Sequence, residues 1–297
     1  MNLFLLLSLS SCLSNQIEIG HENFTGSEAA IRQLSYYLPS LRNTPVDTYV
    51  YILDSGKPGA SLLLVGGTHG NEIAGIRAAE IFIERAVIEA GRVYIIPRLN
   101  ILGVAIESRL IPIEHLERMN PEIFIPPGGI TQYPGTEQRN INRSYPGAED
   151  EGFAQLIALA IMNLLYIEAI DIAIDLHEAR PSSDLAWTLI AHQKNVEIAA
   201  LAILDLSDEG INLSLDLSPP NDGFSHREWG NRTQASAFLI ETANPLQDPN
   251  PHLYMEDPHY SLERRIEIQL RTINAIVRRA NEIMPMPLYF SLPSFTE

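Results

Sequence analysis

Apolar and polar positions fall into blocks along the chain, and the blocks differ in period. Ser61 to Val65 is a short apolar run ending in Gly66-Gly67, which predicts a buried strand. Ile73 to Ala90 instead shows helical spacing among good helix formers, which predicts strand, loop, helix. Arg92 to Pro97 is a second β-rich run, and Ala169 to Leu176 alternates across two faces as a third. Further strands are expected at Leu185 to Ala191 and Ala237 to Ile240. Helices are expected at about Phe153 to Glu168, Asn195 to Leu206 and Tyr260 to Ile283. This alternation predicts a three-layer α/β fold with a mixed, largely parallel sheet. Two segments resist regular structure. Ile111 to Gly147 is crowded with Pro and Gly, and Ser218 to Gly223 leads irregularly into Phe224 to Trp229. Either could wall a cleft.

Composition narrows the chemistry. A chain that is 45% hydrophobic and 19% charged is globular rather than disordered or coiled coil. Its net charge of −17 repels a phosphate backbone, so no nucleic-acid partner is expected. The single cysteine, Cys12, excludes an internal disulfide framework and a zinc site built on CxxC pairs. Any bound metal must therefore use His, Asp and Glu. The apolar run Leu3 to Leu9 is too short to span a bilayer, and Leu9-Ser10-Ser11-Cys12 has the order of a bacterial lipobox. Residues 1–11 would then be a signal peptide and 12–297 a single hydrolase domain. The expected location is the cell envelope, through a lipid on Cys12, with the cytoplasm as the alternative.

Four local features carry chemistry. In Gly66-Gly67-Thr68-His69-Gly70-Asn71-Glu72, a His and a Glu three residues apart follow a strand and open a helix, so both can face one point. Asp175-Leu176-His177-Glu178 ends another apolar strand and offers a third donor. Two His and one Glu with an open position is a known catalytic zinc set. Arg139 to Gly147 contains Asn142-Arg143, in which a planar guanidinium and a neighbouring amide suit a carboxylate. Finally, an apolar strand stops at Glu241, where desolvation would raise the carboxyl pKa and suit it to general base work. No Gly-x-Ser-x-Gly elbow, P-loop or dinucleotide fingerprint is present.

Taken in this order, the motifs resemble the zinc carboxypeptidase superfamily, including its succinylglutamate desuccinylase and aspartoacylase-like branch. The resemblance spans about Leu62 to Asn244. It implies that His69, Glu72 and His177 bind one zinc, that Asn142 and Arg143 hold a substrate carboxylate, and that Glu241 activates water. The implied reaction is amide hydrolysis, carboxypeptidase-like or N-acyl amino acid deacylation, on a small peptide or an N-acyl amino acid. An upstream arginine stabilises the oxyanion in such enzymes; Arg139 is the nearest candidate, with Arg109 and Arg118 as alternatives. Tyr254 and Tyr260 follow Glu241 without a recognisable motif, and the mainly helical stretch there favours a compact peptidase-like core. The competing reading is a noncatalytic metal- or peptide-binding module on the same fold.

Overall fold

A computed structural model describes residues 28–112, 137–217 and 222–292. Cys12 and its apolar run, Arg118, residues 113–136 of the Pro/Gly-rich stretch and residues 218–221 lie outside the described residues. The first half of the chain holds β1 (Glu28–Gln33), β2 (Tyr49–Asp54), β3 (Ser61–Gly66), α1 (Ile73–Arg85), β4 (Val87–Ala90), β5 (Arg92–Ile96) and the short α2 (Ile101–Ala105). The second half holds α3 (Phe153–Ile167), β6 (Ile172–Ala179), β7 (Thr188–Ala191), α4 (Val196–Asp208), β8 (Ser214–Leu217), α5 (Ser225–Arg232), β9 (Ser236–Ala243), α6 (Leu262–Ala280) and β10 (Tyr289–Ser291).

Eight strands pair in the order β1-β2-β5-β3-β6-β9-β7-β8. The four central strands β5, β3, β6 and β9 are mutually parallel, while β1, β2 and β7 join antiparallel and β8 runs parallel to β7. Central parallel strands are buried on both faces, and alternate residues therefore feed two different cores. Leu62, Leu64, Ile174 and Leu176 pack with Phe82 of α1 and Ile276 of α6. Leu63, Val65, Ala173 and Ala237 pack on the other face with Ile157 and Ile161 of α3 and with Trp229 of α5. The expected three-layer α/β arrangement with a mixed, mostly parallel sheet is the one found. Among the described residues, no helix is long and apolar enough to cross a membrane.

Several boundaries differ from the sequence reading. The helix expected over Ile73 to Ala90 ends at Arg85, because Val87–Ala90 pairs antiparallel with β10, some two hundred positions later. A distant partner overrides the local period there. The third strand begins at Ile172 rather than Ala169, whose φ of 49° belongs to a turn, and it continues to Ala179. The strand placed from Leu185 starts at Thr188, and the last helix is Leu262–Ala280. The hydrophobic pattern does not predict strands β1 and β2 or helix α5. Helix α5 has the sequence SHREWGNR, with too few apolar residues for a period, and is anchored chiefly by fully buried Trp229.

The topology gathers the polar features. The β3, β6 and β9 strands are adjacent and parallel, so their carboxyl ends open on one edge. His69 and Glu72 follow β3, while His177 and Glu241 lie near the ends of β6 and β9. Such an edge is where open α/β sheets place ligands.

Candidate active site

The loop after β3 turns sharply. Gly67 sits at φ 67°, where a Cβ would lie 3.1 Å from Arg98 Cα, so glycine is favoured twice over. A tight turn closed by Glu72 N–H to His69 O at 3.2 Å then turns both side chains inward. Gly75 lets α1 approach β6 closely, since a Cβ there would stand 2.6 Å from Leu176 O. That approach brings Glu72 against His177.

The three predicted donors meet. Glu72 Oε1 lies 2.7 Å from His69 Nδ1, Glu72 Oε2 lies 2.8 Å from His177 Nδ1, and the two Nδ1 atoms are 3.1 Å apart. All three residues are buried, and their ligand atoms fall within 4.8 Å of one another. The cluster could hold a metal ion. The far side of each imidazole supports that fit. His69 Nε2 lies 3.1 Å from Asn140 Oδ1, and His177 Nε2 lies 3.0 Å from Asp175 Oδ2 as a charge contact rather than an aligned hydrogen bond. Acceptors on Nε2 hold the proton there and turn the Nδ1 lone pair inward, as metal-ligating histidines require. Zinc bonds of about 2.0–2.1 Å place tetrahedral donors about 3.3 Å apart. Small side-chain shifts therefore suffice.

Asp175 is itself locked. It is fully buried, its Oδ1 accepts from Thr68 Oγ1 at 2.8 Å, and its Oδ2 accepts from Ser225 Oγ at 2.5 Å. Sequence alone gives Asp175 no role. Its position two residues before His177 on a strand was the available signal, because that spacing shares a face. Asn140 carried no comparable signal inside its Pro/Gly-rich loop.

Electrostatics follow from the crowding of acids. Burial favours a neutral Glu72, but His69 and His177 outweigh it and hold the carboxyl well below its usual range. Burial lowers the His69 pKa. Burial also opposes a charged His177, yet Asp175 and Glu72 together hold its pKa well above the ordinary value. Glu241 is pushed up to about 8, chiefly by burial, and its Oε2 is buried with no hydrogen-bond partner. It is the direct register partner of His177. Paired residues on adjacent strands stand about 4.8 Å apart and share a face. The general-base candidate is thus beside the donors.

The arginines divide. Arg109 Nη1 reaches Glu72 Oε1 at 2.7 Å, a contact with the donor set itself. Arg139 ends a single helical turn beside Asn140, and its Nε is buried without a partner. Asn142 is buried, with Oδ1 accepting from Ser225 N–H at 2.8 Å, so its amide oxygen fastens α5 to the loop. Arg143 donates to Asn142 O at 2.7 Å, and its guanidinium lies 3.9 Å from the Phe224 ring centroid. Both predicted carboxylate-binding residues therefore border α5. His226 in its first turn is buried with neither ring nitrogen partnered, and burial lowers its pKa to about 3.

Known proteins share this chain's sequence family and its fold. Residues 58–247 match the succinylglutamate desuccinylase/aspartoacylase catalytic domain. The chain belongs to that family. All three donors, both candidate carboxylate-binding residues and Glu241 fall inside the matched span. A curated relative, the N-alpha-acetyl-L-2,4-diaminobutyric acid deacetylase of Halomonas elongata, is 30% identical over 136 residues. That match covers 45% of this chain and 33% of the relative, so the chain aligns with only a third of it. A succinylglutamate desuccinylase/aspartoacylase structure from Rhodobacter sphaeroides has a TM-score of 0.55 at 19% identity, covering 86% of this chain and 65% of that one. The metallo-carboxypeptidase of Burkholderia cenocepacia has a TM-score of 0.58 at 11% identity, covering 93% and 68%. At such identities the structures share a fold with this family member. The resemblance read from the motifs thus holds at family level.

Proposed function

We propose that the protein is a zinc-dependent amidohydrolase that removes an acyl group from the nitrogen of a small amino acid bearing a free carboxylate. One observation carries the metal: two Nδ1 atoms and one carboxylate converge while both Nε2 atoms face fixed acceptors. His69, Glu72 and His177 would hold the ion. Bound there, zinc supplies a Lewis acid for the acyl oxygen and lowers the pKa of water to about 7. Glu241 takes the proton of the attacking water and passes it to the departing nitrogen as the C–N bond breaks. A carboxyl held near neutrality by burial suits both halves of that transfer. Arg109, already against Glu72, is better placed than Arg139 to meet negative charge developing on the acyl oxygen. Arg143 and the Asn142 amide hold the substrate carboxylate, with Phe224 stacked beneath the guanidinium.

The family match favours an N-acyl amino acid over a peptide as substrate. The test is hydrolysis of a panel of N-acyl amino acids, C-terminal peptides and muropeptides by zinc-loaded and chelator-stripped protein. Deacylation restored by zinc is the expected result. Activity on peptides alone would move the reading to a carboxypeptidase. Zinc binding with no hydrolysis of any member would leave the noncatalytic module.

A further inference from the structure

Glu178 follows His177 on β6, so its side chain points to the opposite face, into the layer of α1 and α6. It is 1% exposed. Its Oε2 accepts from Ala74 N–H in the first turn of α1 at 3.0 Å and from Asn244 Nδ2, just after β9, at 3.1 Å. Its Oε1 pairs with Arg265 of α6. The Glu178 backbone N–H donates to Glu72 Oε2 at 3.2 Å. One turn along α6, Gln269 Nε2 donates to His177 O at 3.0 Å and to Thr242 Oγ1 at 3.1 Å. Arg265 is fixed in turn by donating from Nε to Tyr260 O at 3.1 Å.

The bonds of this one carboxylate and of α6 reach the segments that carry Glu72, His177 and Glu241. Glu72 is held through the start of α1 and through the Glu178 N–H. His177 is held through its own carbonyl. The end of β9 beyond Glu241 is held through Thr242 and Asn244. A buried ion pair contributes little net stability, because desolvation offsets its attraction, but it fixes geometry tightly when every lone pair is used. We propose that the Glu178–Arg265 pair is a positioning device for the metal donors, holding Glu72 and His177 at one point before an ion arrives and thereby setting zinc affinity. This inference rests on the metal-centre reading given above.

Chelator competition on the full chain gives the zinc Kd, and thermal melting gives the stability. Arg265→Met should weaken zinc by about 10–100-fold, the usual cost of losing an outer partner of a metal site. Arg265→Lys should recover part of that loss. In the double variant Glu178→Gln, Arg265→Met, no buried charge is left unpaired, so Tm should return toward wild type while zinc stays weak. A merely structural pair would show the reverse, with zinc affinity following the recovered fold. Should Arg265→Met fail to fold, the double variant decides. Wild-type zinc affinity in the double variant overturns the positioning role. The control is His177→Ala: zinc affinity unchanged by that substitution, or no zinc bound by wild type, means that the metal centre itself fails.

Discussion

Replacing Glu241 by Gln should trade catalysis against stability in a measurable way. Glu241 titrates near 8 in the folded chain against an ordinary value of 4.5, and its buried Oε2 has no partner. The upward shift fixes the sign. The unfolded chain loses the proton first, so the stability that comes from burying a neutral carboxyl is complete below about pH 4.5 and is lost as pH rises toward 8. A shift of this size corresponds to at most about 5 kcal/mol above pH 8. Gln resembles the neutral carboxyl and carries no such penalty. Metal-stripped Glu241→Gln should therefore melt several degrees above wild type at pH 8–9, with the difference vanishing near pH 4.5. The same variant lacks the proton acceptor, so kcat with zinc should fall about 10²–10⁴-fold while zinc stoichiometry is unchanged. Melting across pH on stripped protein and steady-state deacylation on loaded protein read the two arms. A kcat within about fivefold of wild type removes the general base, since positioned proton transfer is worth at least about a hundredfold. A Tm difference that ignores pH removes the desolvation argument.

Metal analysis should find about one zinc per chain, lost on His69→Ala and on His177→Ala, because an open catalytic site needs all three protein donors. Arg143→Ala should raise KM for substrates with a free carboxylate and spare their carboxamide analogues, whereas an equal effect on both would make the arginine structural. Arg109→Ala should lower kcat more than it raises KM if the cation meets charge developed only in the transition state, about 10²–10³-fold for one such donor. A change confined to KM would return the oxyanion role to Arg139. Incorporation of a palmitate analogue that disappears in Cys12→Ser would support the lipobox reading, and no label in wild type would end it.

The meeting of His69, Glu72 and His177 is legible because each lies near or after the carboxyl end of an apolar strand, where a polar side chain has a sheet edge to face. His69, Glu72, His177 and Glu241 share that signature, and parallel pairing of β3, β6 and β9 converts it into proximity. What surrounds them was not legible. Asn140 lies in a loop whose conformation no period predicts, and Arg265 reaches Glu178 from a helix 87 positions away. Glu178 itself read only as the neighbour of His177. Val87–Ala90 continued a helical period and became a strand because its partner, β10, lies at the other end of the chain. Arg109 is one of three candidate arginines in the sequence, and only the fold brings it to Glu72.

The charges around the centre explain why a dication suits it. Glu72, Asp175, Glu178 and Glu241 crowd together, and Arg109 and Arg265 are the guanidiniums paired with them. Among the described residues, Asp175 and Glu241 have no arginine paired with them. With protein groups alone the crowding favours protonation: Asp175 and Glu72 hold the His177 pKa well above its ordinary value, and burial pushes Glu241 up to about 8 and Glu178 up to about 7. A dication held by His69, Glu72 and His177 would compete with protons there, and its field beside Glu241 would favour the ionised carboxylate. Calorimetric titration at pH 7 in buffers of different ionisation enthalpy should therefore report the number of protons released per zinc. Glu241→Gln should reduce that number by about one, since its share is the Glu241 proton. Equal proton release in wild type and variant would mean that Glu241 is ionised before zinc binds, and burial would then not be what tunes it.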